Sequence, residues 1–343
     1  MQSQTGGDYL AGERWGPYDA RMRALRFEKT GSMNELKLAE IARPACGAGE
    51  VLVQVKAAGV NFIDVYFREG RYPAQLPFVL GQEGAGFVLE IADGVESVKP
   101  GDRVAWCMVQ GAYAEQAAVP ARMLVAIPEH LSFEDAAAAM LQGMTAHYLS
   151  HSVYAIQKGD DVLVHAGAGG VGLLLTQMAK MLGARVITTV SSAEKAAISK
   201  AAGADAVIDY TTQDFAAEVR KLTDGRGVHV VYDGVGMDTF DKSLASLRPR
   251  GMMALFGGAS GAVPPFDVMK LSQMGSLFIT RPMLKDYIAD RMELEWRAGD
   301  VLKWIDERKL KLRVEHMYPL AEAKRAHEDL QSRKTTGKLV LTV

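Results

Sequence analysis

The stretch DVLVHAGAGGVG, Asp161 to Gly172, constrains this chain more than any other. Val162, Leu163 and Val164 form a short apolar run suited to a strand buried on both faces, and the glycines at 167, 169 and 172 follow in G-x-G-x-x-G spacing. Glycine meets three demands there: a tight turn at positive φ, approach of a pyrophosphate to the main chain, and close packing of helix on strand. The chain has 34 glycines, so the flanks must decide. Val171, Leu174, Leu175, Met178, Ala179 and Leu182 recur at helical spacing, Gly183 stops the helix, and a second strand, Val186 to Val190, follows at once. Strand, turn, helix and strand within about thirty residues make a βαβ unit whose helix offers free N–H groups to phosphates.

Around this unit the chain divides by periodicity. From Met22 to residue 144 it reads as short alternating strands, among them Arg23 to Phe27, a half-buried Glu50 to Ala58, Gly86 to Ile91 and Arg103 to Cys107, with little helix. Asn61, Asp64, Tyr66, Arg68 and Tyr72 form a segment too polar for a core strand, and Ala136 to Ala139 reads as a packed helix. Beyond residue 145 strands alternate with helices: helices at Ala193 to Ala202, Asp214 to Leu222 and Thr239 to Ser246, strands at Ala206 to Tyr210, Val228 to Asp233, Met252 to Phe256 and Ser276 to Thr280. Six strands fit an α/β, doubly wound parallel sheet of the Rossmann type. Helices at Asp300 to Glu307 and Ala321 to Leu330 and a strand at Lys338 to Val343 are expected to return to the first part. The expected organisation is therefore a flexible extension or remnant at 1–21, a discontinuous, mainly antiparallel β domain at 22–144 and 283–343, and a dinucleotide domain at 145–282, with the active site between the two.

Composition removes several classes of function. Lys and Arg total 39 against 41 Asp and Glu, which leaves no electrostatic footprint for nucleic acid or an anionic membrane. Two cysteines, Cys46 and Cys107, exclude a disulfide framework and a four-cysteine zinc site within one chain and suit a reducing, cytoplasmic setting. No apolar run reaches the roughly 18 residues of a membrane span, and residues 1 to 21 lack the core of a signal peptide.

An NAD-preferring site carries an acid about 20 positions past the first glycine. Here that window holds Ile187, Thr188, Thr189, Val190, Ser191 and Ser192, then Lys195 in the next helix. Hydroxyls and a lysine accept a 2′-phosphate that a carboxylate would repel, so the cofactor expected is NADPH. Lys195 as a solvated helix lysine beside Glu194 is the plainer alternative. For metal chemistry the supply is poor: His147 and His151 have i, i+4 spacing but no third ligand, and a partly exposed helix face explains them as well. There is no G-x-S-x-G elbow and no recognisable nucleophilic cysteine. Hydride transfer to an electrophilic acceptor is the simplest remaining chemistry. Lys309, Lys311 and Arg313, alternating with Leu310 and Leu312, read as a strand with a solvated face.

The segments AGVNFIDVYFREGRYP (58–73), LGQEGAG (80–86), GDRV (101–104), LQGMTAHYL (141–149), HAGAGGVG (165–172), VVYDGVG (230–236), GSLFITRP (275–282) and AHEDLQSRKTTGK (326–338) carry a family resemblance. From Met22 to Val343 the chain resembles a zinc-free medium-chain dehydrogenase/reductase, and within that superfamily the NADPH:quinone oxidoreductases related to zeta-crystallin. Asn61 stands where zinc alcohol dehydrogenases have a cysteine ligand, and Gln82 replaces the histidine of a G-H-E segment. The resemblance implies a GroES-like catalytic domain, a quinone acceptor, and Asn61, Tyr66 and Tyr72 lining the nicotinamide and quinone pocket. It also implies that Thr145, Gly169, Gly170 and Val171 contact nicotinamide or pyrophosphate beside Gly167. Lys195, Tyr210 and Arg333 would surround the 2′-phosphate beside the hydroxyl pair Ser191 and Ser192 read above, and Phe256, Phe278 and Thr280 would lie along the nicotinamide half. A homodimer through the edge strand Ser276 to Thr280 follows from the same likeness. Two alternatives remain open at the level of sequence: a reductase of α,β-unsaturated carbonyls, and a non-catalytic, crystallin-like NADPH-binding protein of structural or RNA-associated role.

Overall fold

Alternating apolar residues from Met22 onward build the antiparallel part of the molecule; the computed structural model describes residues 21–343. The expected extension at 1–21 lies outside the described residues, Arg21 excepted. Strands β1 (Arg21–Phe27) and β2 (Lys37–Ala42) pair antiparallel. β3 (Glu50–Val60) turns Val51, Val53, Val55 and Ala57 into the core, but Leu52 and Ala58 of its other face are buried as well, so it is covered on both sides rather than one. The polar segment after it folds as helix α1 (Phe62–Arg68). β4 (Phe78–Val79) completes a small separate sheet β2-β1-β4, and β5 (Glu83–Ile91), β6 (Arg103–Cys107), β7 (Gln116–Pro120) and β8 (Val125–Ala126) extend antiparallel pairing around β3 to build the larger first sheet. Helix α2 (Phe133–Tyr148) follows, its first turn capped by Ser132 Oγ, which accepts from the Asp135 N–H at 3.0 Å.

The second sheet forms from β9 (Asp161–Val164), α3 (Gly170–Met181), β10 (Arg185–Val190), α4 (Ala193–Ala201), β11 (Ala206–Asp209), α5 (Phe215–Leu222), β12 (Val228–Asp233), α6 (Phe240–Ala245), β13 (Leu247–Leu255), α7 (Met269–Gln273) and β14 (Phe278–Thr280). Every pair in it is parallel, in the order β11-β10-β9-β12-β13-β14. The order reverses between β9 and β12, so a crevice opens at their carboxyl ends, where such sheets bind ligands. β14 begins at Phe278 rather than Ser276 because Gly275 and Ser276, at φ +111° and +57°, turn the chain first.

The remainder is α8 (Leu284–Tyr287), α9 (Arg291–Asp306), β15 (Val314–Pro319), α10 (Ala323–Gln331) and β16 (Lys338–Thr342). β16 joins the first sheet against β3, pairing Leu339 with Val60, and β15 adds beyond it. Helix α9 starts nine residues ahead of the expected Asp300, capped by Asp290 Oδ1 on the Met292 and Glu293 amides. Its first turns hide their apolar stripe because Arg297 is itself buried, paired with Glu293 at 2.6 Å. The strand expected over Lys309 to Arg313 does not form. Arg308, at φ +58°, reverses the chain, Leu310 is buried, and the Lys311 N–H donates to Gln177 Oε1 at 2.8 Å instead of to a neighbouring strand.

Helix α2 packs on β3, β5 and β6 of the first sheet and on α3 and α9. Ala136 to Ala139 are all fully buried, and the absence of bulk there lets both layers approach. His147 does not lie on a partly exposed face. It is fully buried, stacked on His151 at 4.2 Å and bonded through Nε2 to Asp300 at 3.1 Å, and burial pushes its imidazole down to about 4.

Candidate active site

The glycine turn begins at the end of β9, and the structure corrects the reason for its glycines. The residue with left-handed φ is Ala166, at +52°, and none of Gly167, Gly169, Gly170 and Gly172 has positive φ. Close approach explains three of them, all but Gly169. A Cβ on Gly167 would lie 2.6 Å from Thr188 Cβ and 2.7 Å from Ser199 Oγ; one on Gly172 would strike the Ala166 carbonyl, and one on Gly170 the Gln142 side chain. Gly169 precedes α3, whose first turn has no side-chain cap, so its leading N–H groups point outward unpaired by any side chain. Behind the turn, the Gly337 N–H donates to the Ala168 carbonyl at 2.9 Å, which ties the turn to the segment entering β16.

A basic cluster gathers at the carboxyl end of β10. Ser192 Oγ caps α4 by accepting from the Lys195 N–H at 3.2 Å, and Lys195 Nζ reaches Ser191 Oγ at 3.4 Å and the Arg333 carbonyl. Burial holds the Lys195 ammonium below its usual range; Glu194 opposes this and the Arg333 charge adds to it. The Tyr210 N–H donates to the Val190 carbonyl, which leaves its ring exposed beside the same strand end.

A solvent-open cleft with a cavity volume of about 170 Å³ lies between α1, α2, the start of α3 and the carboxyl ends of β12, β13 and β14. Asn61, Tyr66, Tyr72, Thr145, Val171 and Phe256 line it together. Phe278 and Thr280 do not: Phe278 is 56% exposed on the edge strand, and the residues just after it, Arg281 to Leu284, line the cleft in their place. Tyr66 spans the cleft, its hydroxyl accepting from the Gly258 N–H at 3.1 Å, while Arg71 covers its ring at 5.2 Å and donates to the Gly258 carbonyl at 3.3 Å. Because that hydroxyl accepts from Gly258, its own proton remains to be donated. Tyr72 meets the Tyr66 ring edge-on at 5.6 Å.

Asn61 is held by groups that sequence reasoning passed over. Its Nδ2 donates to Glu83 Oε1 at 2.6 Å and to the Gly59 carbonyl at 3.4 Å, and its Oδ1 accepts from Lys338 Nζ at 2.7 Å. Lys338 also pairs with Glu83 Oε1, while Glu83 Oε2 accepts the Leu141 N–H at 2.6 Å; both charged side chains are almost wholly buried. Both amide protons of Asn61 are thus spent inside the protein. The signal available in the sequence was a lysine opening the otherwise apolar strand KLVLTV and a glutamate inside EGAG. Gln142 and Arg281 also lie inside quoted motifs, yet nothing in their spacing marked them. Below α1, Asp64 accepts from the Asn61 N–H at 2.9 Å and from Tyr113 Oη at 3.1 Å. Complete burial raises its carboxyl to about 7, and its Oδ1 has no partner.

Comparison with known proteins follows this geometry. Residues 47–129 match the alcohol dehydrogenase GroES-like domain, and residues 170–293 match the zinc-binding dehydrogenase domain. A quinone oxidoreductase of Pseudomonas aeruginosa is 42% identical over 321 residues, covering 93% of this chain and 99% of that protein. The Escherichia coli quinone oxidoreductase structure, solved with NADPH, superposes with a TM-score of 0.91 at 42% identity over 94% of this chain and 100% of the other. This chain belongs to the quinone oxidoreductase family. A 2-haloacrylate reductase from a Burkholderia species is 41% identical over 93% of this chain and 98% of that protein. Within the family's fold, zinc does not fit here. The Lys338 ammonium already sits on Asn61 and Glu83, where a dication would be repelled, and neither Asn61 nor Gln82 offers the thiolate or imidazole that zinc takes. Among the described residues, no three His, Cys, Asp or Glu side chains are grouped to hold a metal. NADPH does fit: an uncapped α3 N-terminus for pyrophosphate, and Lys195 and Ser191 for a 2′-phosphate, with the Arg333 charge near Lys195 although its guanidinium lies 4.0 Å from Asp238.

Proposed function

We propose that this protein reduces quinones by direct hydride transfer from NADPH. The single observation that carries the reading is Tyr66, whose phenol stands in the cleft with its proton free, on the same wall system as Thr145, Val171 and Phe256 at the mouth of the glycine turn. The α3 N-terminus would take the pyrophosphate, and Lys195, Ser191 and Arg333 the 2′-phosphate, with Ser192 holding α4 in place. Bound NADPH supplies a hydride from C4 of its nicotinamide. Thr145, Val171 and Phe256 would orient that ring, and the aromatic wall of Tyr66 and Tyr72 would hold the acceptor flat over it and exclude water. Burial raises the Tyr66 phenol above its ordinary value, so it stays protonated at neutral pH and donates to the reduced quinone's oxygen, taking a proton back from solvent. Asn61, its donors already engaged, positions the wall instead of donating. The matching test is an acceptor screen followed by NADPH absorbance: quinones drive oxidation, and bound NADPH without oxidation across the panel sinks the reading in favour of a non-catalytic binding protein.

Reduction of an activated C=C bond is the second reading, favoured by the 41% identity to a 2-haloacrylate reductase. It uses the same geometry, and quinones and enones assayed side by side separate the two. We assign 22–144 with 283–343 to acceptor binding and 145–282 to NADPH; the return of β16 to β3 supports this division. A homodimer through β14 is supported by its place at the sheet edge and by the exposed Phe278, Met269 and Val268 near it. No described helix is long and apolar enough to cross a membrane, and the free thiols Cys46 and Cys107 suit a reducing cytoplasm.

A further inference from the structure

We infer that Arg281 anchors a carboxylate on the acceptor, so that the cleft prefers carboxylate-bearing quinones and activated alkenes to their neutral counterparts. The inference rests on the hydride-transfer reading above. Arg281 is the one charged side chain lining the cleft, and it has no carboxylate partner among the described residues. Its companions in the lining, including Tyr66, Tyr148, Phe256 and Met283, carry no charge. Arg281 is exposed to solvent, so its guanidinium is hydrated rather than buried, and a carboxylate on the acceptor exchanges that water for charge-assisted hydrogen bonds. One N–H is spent: Nη1 donates to the Leu255 carbonyl at 3.0 Å, which fixes the group at the carboxyl ends of β13 and β14. The remaining edge of the planar fork matches a carboxylate through two parallel hydrogen bonds. The same charge pulls down the pKa of both Tyr66 and Tyr148 against the burial that raises them, so the guanidinium lies within electrostatic reach of the proton-delivering phenol.

The chemistry balances without a further reactant. With an alkene, hydride adds to the carbon β to the activating group, the π bond breaks, and the electron pair left at the α carbon takes a proton from Tyr66, which solvent replaces. NADPH leaves as NADP⁺, and the carboxylate on Arg281 keeps its charge throughout.

The test compares wild type, Arg281→Gln and Arg281→Lys on a benzoquinone bearing a carboxymethyl group and on its methyl ester. The ratio of kcat/KM for acid over ester falls roughly 10- to 100-fold in Arg281→Gln, mainly through KM, and Arg281→Lys recovers part of it. Calorimetry with the corresponding carboxymethyl hydroquinone gives a Kd weakened by the same factor, while the Kd for NADPH moves little. An acid/ester ratio unchanged in both variants overturns the inference. So does a loss of NADPH affinity as large as the loss for the acid, which would assign Arg281 to the cofactor. If neither acceptor is reduced by wild type, the hydride-transfer reading fails; the calorimetric comparison still decides whether Arg281 binds a carboxylate.

Discussion

At the scale of single residues the site turns on two buried oxygen acids with different duties. Under the proposed hydride transfer Tyr66 supplies the proton, so Tyr66→Phe lowers quinone turnover about 10- to 100-fold and leaves NADPH affinity nearly unchanged. Steady-state kinetics beside equilibrium cofactor binding checks this, and unchanged turnover removes Tyr66 from proton delivery. Asp64 works against stability. Its folded carboxyl titrates at about 7, above the unfolded value near 4, so between those limits the folded state holds a proton that the unfolded state has lost. The stabilising contribution of the protonated form is complete below about pH 4 and is lost as pH rises toward 7. Asp64→Asn abolishes that dependence: its Tm gains on wild type between about pH 4.5 and about pH 7.5 and keeps a constant offset above. Parallel Tm profiles would show that Asp64 does not titrate in this window. Tyr66 and Asp64 are five and three positions from Asn61 in one motif, and both were visible in the sequence as part of an unusual polar segment. The family resemblance already put Tyr66 in the quinone pocket; what the sequence did not show were the partners of the two side chains, Gly258 and Tyr113, which come from distant strands and loops.

At the scale of elements, the glycine turn binds through space left empty. Gly172 faces the rigid Ala166 carbonyl, whereas Gly170 faces the flexible end of Gln142. Gly172→Ala therefore weakens NADPH binding far more than Gly170→Ala, and Gln142→Ala relieves the Gly170→Ala defect while leaving Gly172→Ala unimproved. Fluorescence titration with NADPH across the four variants checks the order; equal losses would mean that the turn yields as a unit. The glycine spacing was legible because it is local. That the positive φ falls on Ala166 was not, since the spacing rule records where side chains are missing and not which dihedral bends the chain. Helix α9 illustrates the opposite failure. Arg297 is buried by the fold around it, and a buried arginine erases the apolar stripe on which helix reading depends.

At the scale of the whole molecule, Lys338 on the last strand meets Glu83, 255 residues earlier, behind the active site. Removing one partner strands the other as a buried charge, so Lys338→Met costs about 3–5 kcal/mol of stability by denaturant unfolding. The double variant Glu83→Gln/Lys338→Met recovers much of that loss; if it is no more stable than the single variant, the pair is not the coupled unit described here. By itself the sequence determined what nearest neighbours can impose: the βαβ unit, the parallel order implied by alternating strand and helix, the missing acid beyond the turn, and the residue types that deny zinc two of its ligands. Only the tertiary structure decided that Asn61 has no donor to spare, that Lys338 reaches both Asn61 and Glu83, and that Arg281 lines the cleft without a carboxylate partner. Those facts depend on which surfaces meet when β16 returns to β3 and α2 packs between the sheets. Contacts of that kind are fixed by burial and close packing over hundreds of residues, and leave almost no trace in local spacing.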